Sequence, residues 1–307
     1  MHFMELEEHT KGTPSLAVPL PVVLNITMGR GITLLIIDPQ NDFHPGGSLA
    51  IPTADEDAAR LANFITTNAA TIDEIVVTLD SHHKLHIAHA AFWRGGEDAE
   101  ARPAPFCVIH PQDVLDKTWL PRDSSLVDYC VQYLSALEAS GKFMLVVWPE
   151  HCLIGSSGHA VYPPINAALH SWLDTHAGSS RSIRWVNKGE NCLTEMYSAL
   201  AAEVTVESDP RTHLNEALRS DLLPSTSDDS GDSRGRLLVA GQAKSHCVAA
   251  TLRDVLGSNP SVEQAAATVL LEDCMSSVVG FEDAGESFVA EMRAAGVVIS
   301  TSTEWIM

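Results

Sequence analysis

Seven short apolar runs recur along the chain: ITLLII at 32–37, EIVVTL at 74–79, FMLVVW at 143–148, SIRWV at 182–186, RLLVAG at 236–241, ATVLLE at 267–272 and GVVIS at 296–300. Hydrophobicity within them is continuous rather than alternating, the habit of strands covered on both faces in a parallel sheet. Helix-length segments lie between them, near 55–69, 125–139, 165–176, 211–222, 246–256 and 284–294. Strand and helix alternating in this way predict an α/β fold, a three-layer, doubly wound, mainly parallel sheet.

Two stretches break the rhythm. Residues 94–124 are rich in Pro, Gly and charge and are long enough to form a lid over a site, while SDDSGDSRGR at 227–236 has the composition of a mobile surface loop. There is no internal repeat and no low-complexity block large enough to be a second module, so one domain over 1–307 is expected.

Composition narrows the function. Forty acidic residues against 19 basic ones leave a formal charge of -21, which argues against nucleic acid as a partner, because phosphate binding rests on clustered Lys and Arg. No run of about 18 apolar residues offers a membrane span. The amino terminus, MHFMELEEHTKG, is acidic and lacks the pattern of a secretory signal, so a cytoplasmic location is expected. Six scattered cysteines without a CxxC pair suggest neither a disulfide framework nor a structural zinc knot. Nothing in the pattern fixes the oligomeric state, and a homo-oligomer is compatible with it.

In open parallel sheets the ligand crevice lies beyond the carboxyl ends of the strands. Asp38 follows the first run, Asp80 the second, His151 the third, Lys188 the fourth and Cys247 the fifth. Asp38 alone also suits a cap or turn, but at a crevice a desolvated carboxylate can take and return a proton. Cys247 falls where VAATLRDVL begins a helix, whose positive end favours thiolate and whose N–H groups offer an oxyanion hole. Cys152, next to His151, is the rival nucleophile. Lys188 is either a solvated residue at the Gly189 turn or an ammonium stabilising the thiolate. Asp80, His82, His83, His86 and His89, with His151 from another strand end, form a candidate site for one divalent ion, with zinc favoured over iron or manganese; spacing does not select the ligands.

Taken in order, IIDPQNDF, TLDSHHKLH, VWPEHCLIGSSGH, NKG and VAGQAKSHCVAAT resemble the signature of nicotinamidases, within the isochorismatase-like hydrolases. The resemblance covers the chain from about residue 31 onward, with extra segments at about 94–142 and 206–235. It implies Asp38, Lys188 and Cys247 as a catalytic triad, and Asp80, His82, His86 and His151 as metal ligands, with His89 the alternative to His86. It further implies a cis peptide before Ala243, an oxyanion hole from the N–H groups of Ala243 and Cys247, and Phe43, Trp148 and Tyr197 as walls for the substrate ring. The reaction implied is hydrolysis of nicotinamide or another small carboxamide to the acid and ammonia through a thioester. DSHH and KSHC depart from the usual family motifs, which leaves the substrate open. A metal-dependent nuclease or phosphoesterase and a non-catalytic binding protein are the rival classes.

Overall fold

The computed structural model describes residues 31–224 and 235–305. The amino-terminal segment read for a signal, residues 227–234 of the stretch read as a surface loop, and part of the 206–235 segment lie outside them.

Among the described residues ten strands form: β1 (Ile32–Ile37), β2 (Ile72–Asp80), β3 (Trp93–Gly95), β4 (Val108–Ile109), β5 (Trp119–Pro121), β6 (Leu145–Val146), β7 (Arg184–Lys188), β8 (Arg236–Gly241), β9 (Thr268–Leu271) and β10 (Val298–Ser300). The helices are α1 (Ala54–Thr67), α2 (Pro111–Leu115), α3 (Val127–Ser140), α4 (Pro163–Thr175), α5 (Glu216–Leu222), α6 (Ala249–Leu256), α7 (Val262–Ala266) and α8 (Glu282–Ala294). The main sheet has the order β10-β9-β8-β1-β2-β7 and every pairing in it is parallel.

Continuous apolar runs arise because neighbouring residues serve two cores. Leu34 and Ile36 of β1 pack under α1 and α4 with Leu61, Phe64, Leu169 and Trp172. Leu35 and Ile37 face the opposite layer, with Leu252 of α6, Phe288 of α8 and Tyr133 of α3. The same division runs through β8, where Leu238 and Ala240 join the first core and Leu237 and Val239 the second. Strand order therefore reverses at β1, with β2 and β7 on one side and β8, β9 and β10 on the other. That junction is a topological switch point, which opens a crevice at the carboxyl ends of β1 and β8.

Three elements differ from the sequence reading. FMLVVW forms only the two-residue β6, antiparallel to β4 and outside the main sheet. Its main chain is taken up by loops instead: Val147 N–H donates to Cys107 O and Trp148 N–H to Ala88 O. It is apolar because it is buried, not because it is a sheet strand. Second, the segment expected as a helix over 211–222 is helical in α5 only after a short 3-10 turn at Pro210–Thr212. Third, residues 94–124 form no lid. They build β3, β4, β5 and α2 and bury Ile109 and Val114 in the second core. Phe106 packs edge-on behind Trp148, and no residue of the segment lines the crevice cavity. No helix among the described residues is long and apolar enough to cross a membrane.

Candidate active site

Asp38 ends β1 with a left-handed backbone (φ +43°) that turns its side chain into the crevice. Its N–H donates to Thr78 Oγ1 (3.0 Å), and the Thr78 hydroxyl donates to Asp38 Oδ1 (2.5 Å), fixing the carboxylate from the neighbouring strand β2. The other oxygen, Oδ2, lies 2.9 Å from Lys188 Nζ. Lys188, at the end of β7, has a side chain only 1% exposed. Its ammonium also donates to Asp80 Oδ1 (3.0 Å), Met196 O (3.2 Å) and Cys247 Sγ (3.4 Å). The structure thus brings the thiol, the carboxylate and the ammonium together from β8, β1 and β7.

Their charge states follow from burial and neighbours. Burial pulls Lys188 down, but Asp38 and Asp80 outweigh it, so the residue stays an ammonium. Asp38 is raised because burial outweighs Lys188. Cys247 is pushed well above the ordinary thiol range by burial, which Lys188 only partly offsets and the two aspartates reinforce. The helix start favours thiolate, whereas burial and the two aspartates oppose it. Cys247 sits in a wide helical turn over Lys244–Val248, ahead of α6, and in a dry pocket beside two carboxylates it rests as a thiol that needs a base. The Gln242–Ala243 peptide entering that turn is cis.

On the far side of Asp80 lies a group of imidazoles. Asp80 Oδ2 is 3.0 Å from His82 Nε2 and 3.2 Å from His151 Nε2. His151 Nδ1 donates to Pro149 O (2.8 Å), so in neutral His151 the Nε2 lone pair faces an acceptor-only carboxylate. Such a pair repels unless a proton or a cation lies between. Donors around one small cation with bonds of about 2.0–2.2 Å sit roughly 3.0–3.5 Å apart, which these distances match. Ring nitrogens of His82, His89 and His151 all lie within 4.8 Å of one another, and Nδ1 of His82 and both nitrogens of His89 are buried without a hydrogen-bond partner. Asp38, Asp80 and Lys188 together carry one net negative charge in a dry site. Donor types, orphaned nitrogens and charge all suit a divalent ion there.

Main-chain clamps hold this constellation. Gln40 closes an amide latch on Asp80, donating to its carbonyl and accepting from its N–H, both at 2.7 Å. His82 N–H donates to Cys152 O and Ile154 N–H to His82 O, while Trp148 bridges to Ala88, so residues 147–154 are stitched to 82–89 at both ends. Cys152, the rival nucleophile, is fully buried with burial raising its thiol, and it does not line the cavity.

Phe43, Trp148 and Tyr197 line one narrow pocket with Cys247, Ala243 and Lys188. Trp148 Nε1 donates to the Tyr197 hydroxyl (3.1 Å). Sequence reasoning missed two polar residues in the same wall. Glu195 is 3% exposed, has Oε2 without a partner, and is raised by burial. His246, lowered to about 4 by burial, is bonded through Nδ1 to Ser245 Oγ (2.8 Å). The signal for His246 was its place beside Cys247; Glu195 lies in an irregular loop that gave none.

With the geometry described, comparison with known proteins becomes informative. The chain is 25% identical over 273 residues to the nicotinamidase of Escherichia coli (strain K12), spanning 89% of this chain and 95% of that one. Over most of its length the chain is thus similar to a nicotinamidase. No protein-family model matches it. Two solved nicotinamidase structures share its fold. The Acinetobacter baumanii nicotinamidase pyrazinamidase has a TM-score of 0.56 and 23% identity, covering 90% of this chain and 98% of that one. The yeast nicotinamidase bound to the inhibitor nicotinaldehyde has a TM-score of 0.53 and 19% identity, covering 88% and 99%. The chain thus has the expected three-layer, doubly wound fold.

Proposed function

We propose that this protein is a metal-assisted cysteine amidohydrolase, converting nicotinamide or a related small carboxamide to the acid and ammonia. The observation that carries the reading is Lys188 Nζ in contact with both Asp38 Oδ2 and Cys247 Sγ, with Lys188 and Cys247 lining the pocket walled by Phe43, Trp148 and Tyr197.

Asp38 takes the thiol proton as Cys247 Sγ attacks the amide carbon. Negative charge moves from sulfur to the carbonyl oxygen, where the N–H groups of Ala243 and Cys247 receive it. The C–N bond breaks as Asp38 returns the proton to departing ammonia, leaving a thioester on Cys247. Asp38 then deprotonates water, which cleaves the thioester, releases the acid and restores the thiol. Lys188 keeps the sulfur and the carboxylate in register and limits the cost of negative charge on either. Asp80 and the imidazoles would hold a divalent ion, which when bound would supply Lewis-acid polarisation of a substrate donor atom or water. Phe43, Trp148 and Tyr197 hold the ring.

The test is ammonia release from nicotinamide, pyrazinamide and small aliphatic amides by zinc-loaded protein. Cys247→Ala is expected to lower turnover by more than ~10³-fold with an unchanged circular dichroism spectrum. Retained activity in that variant, or no hydrolysis of any amide by the native chain, would overturn the proposal.

A further inference from the structure

The irregular segment after β2 presents two histidines to the same region, and they are in opposite states. His86 is spent: Nε2 donates to Thr194 O (3.1 Å) and Nδ1 accepts from Ala88 N–H (3.2 Å). Turning it onto an ion would leave one of those buried main-chain groups unpaired, a cost of about 1–3 kcal/mol. His89 is fully buried, and neither ring nitrogen makes a hydrogen bond. A buried imidazole without partners calls for an explanation in a packed protein. Its neutral form carries a free lone pair, which is what a metal ligand requires.

The main chain holds His89 in this place. Ile87 N–H donates to Cys192 O and Trp148 N–H to Ala88 O, so residues 87–89 are anchored from two sides. A ring nitrogen of His89 lies within 4.8 Å of ring nitrogens of His82 and His151.

Resting on the metal-assisted reading above, we propose that His89, not His86, is the third imidazole of the metal site, so that Asp80, His82, His89 and His151 together grip the ion. Three imidazoles and one carboxylate form a donor set for a borderline ion such as zinc, which can expand its shell to five positions and so still admit a substrate atom or water.

The test measures metal, not amide hydrolysis. Native protein, His89→Ala and His86→Gln are stripped with a chelator, reloaded with Zn2+, and titrated against a chromogenic chelator, with bound zinc counted by mass spectrometry. Loss of a direct ligand is expected to weaken zinc binding by more than ~100-fold in His89→Ala, beyond the ~10–100-fold typical of outer-shell partners, and His86→Gln is expected to stay within ~10-fold. The reverse order, equal losses, or no loss in either variant would overturn the assignment. Because His89→Ala removes a buried ring and its fold is at risk, X-ray absorption of zinc-loaded His86→Gln gives a second readout. Three imidazoles at the zinc are expected, and two would refute the proposal. Native protein that binds no zinc at all would remove the metal-assisted reading and this assignment with it, whereas zinc retained by His89→Ala removes the assignment alone.

Discussion

Around Cys247 the balance of charge decides the chemistry. A thiol raised by burial and by Asp38 and Asp80 is a poor nucleophile until a proton leaves, and Asp38 is the base in reach. Asp38 is itself raised, by burial that Lys188 does not fully offset. It acts as a base only when ionised, so kcat/KM should climb as pH rises through its raised pKa, with an acidic limb above the ordinary carboxylate value. Asp38→Asn should cut kcat/KM by roughly 10²–10⁴-fold and flatten that limb. A limb that survives the substitution would assign the base to another group. At this scale Asp38, Asp80 and Lys188 were easy to single out because each stands at a strand end, which fixes where a side chain can point, whereas Cys247 lies six residues beyond β8 in the helical turn. His89 was harder to place, since residues 81–92 turn irregularly and spacing does not set ring direction. A helix start favours thiolate only if burial and neighbouring carboxylates leave its field dominant.

Among the elements, the irregular segments carry as much of the site as the strands. Gln40, one residue past the β1 turn, satisfies both main-chain groups of Asp80 and also donates to His159 O (3.0 Å). Gln40→Ala would leave the Asp80 N–H and carbonyl buried and unpaired, a loss of about 2–4 kcal/mol. Urea unfolding should show this as a lower midpoint with an unchanged slope, and a change under about 0.5 kcal/mol would mean that water or a shifted chain replaces the latch. The strands that hold these segments were readable because β1, β2, β8 and β9 are apolar on both faces. β6 was misjudged because a buried loop and a buried strand share one composition. Periodicity reports burial, while the hydrogen-bond partners that separate the two come from distant residues such as Cys107 and Ala88. The pairs β3–β5 and β4–β6 had no sequence signal, being only two or three residues long.

For the whole molecule, doubly wound architecture was foreseeable from alternation, but the reversal at β1 that brings Cys247 to Asp38 was not, since strand order depends on which face each crossover covers. Charge is the other property that belongs to the chain as a whole. With 40 acidic and 19 basic residues, most repulsion is unpaired and long-ranged. The exposed pairs, such as Arg253 with Glu291 at 2.6 Å and Arg211 with Glu190 at 2.7 Å, are each worth about 1 kcal/mol or less. Salt screens both, yet a net charge of -21 gives repulsion the larger share at low ionic strength, where the Debye length is roughly 30 Å at 0.01 M against 8 Å at 0.15 M. Raising NaCl from 10 to 150 mM at fixed pH and fixed zinc should therefore raise Tm by roughly 2–5 °C. KCl should act equally, because screening depends on ionic strength rather than ion identity. A Tm that falls over the same range would mean that the surface pairs, not the excess of carboxylates, dominate the electrostatics of the folded chain.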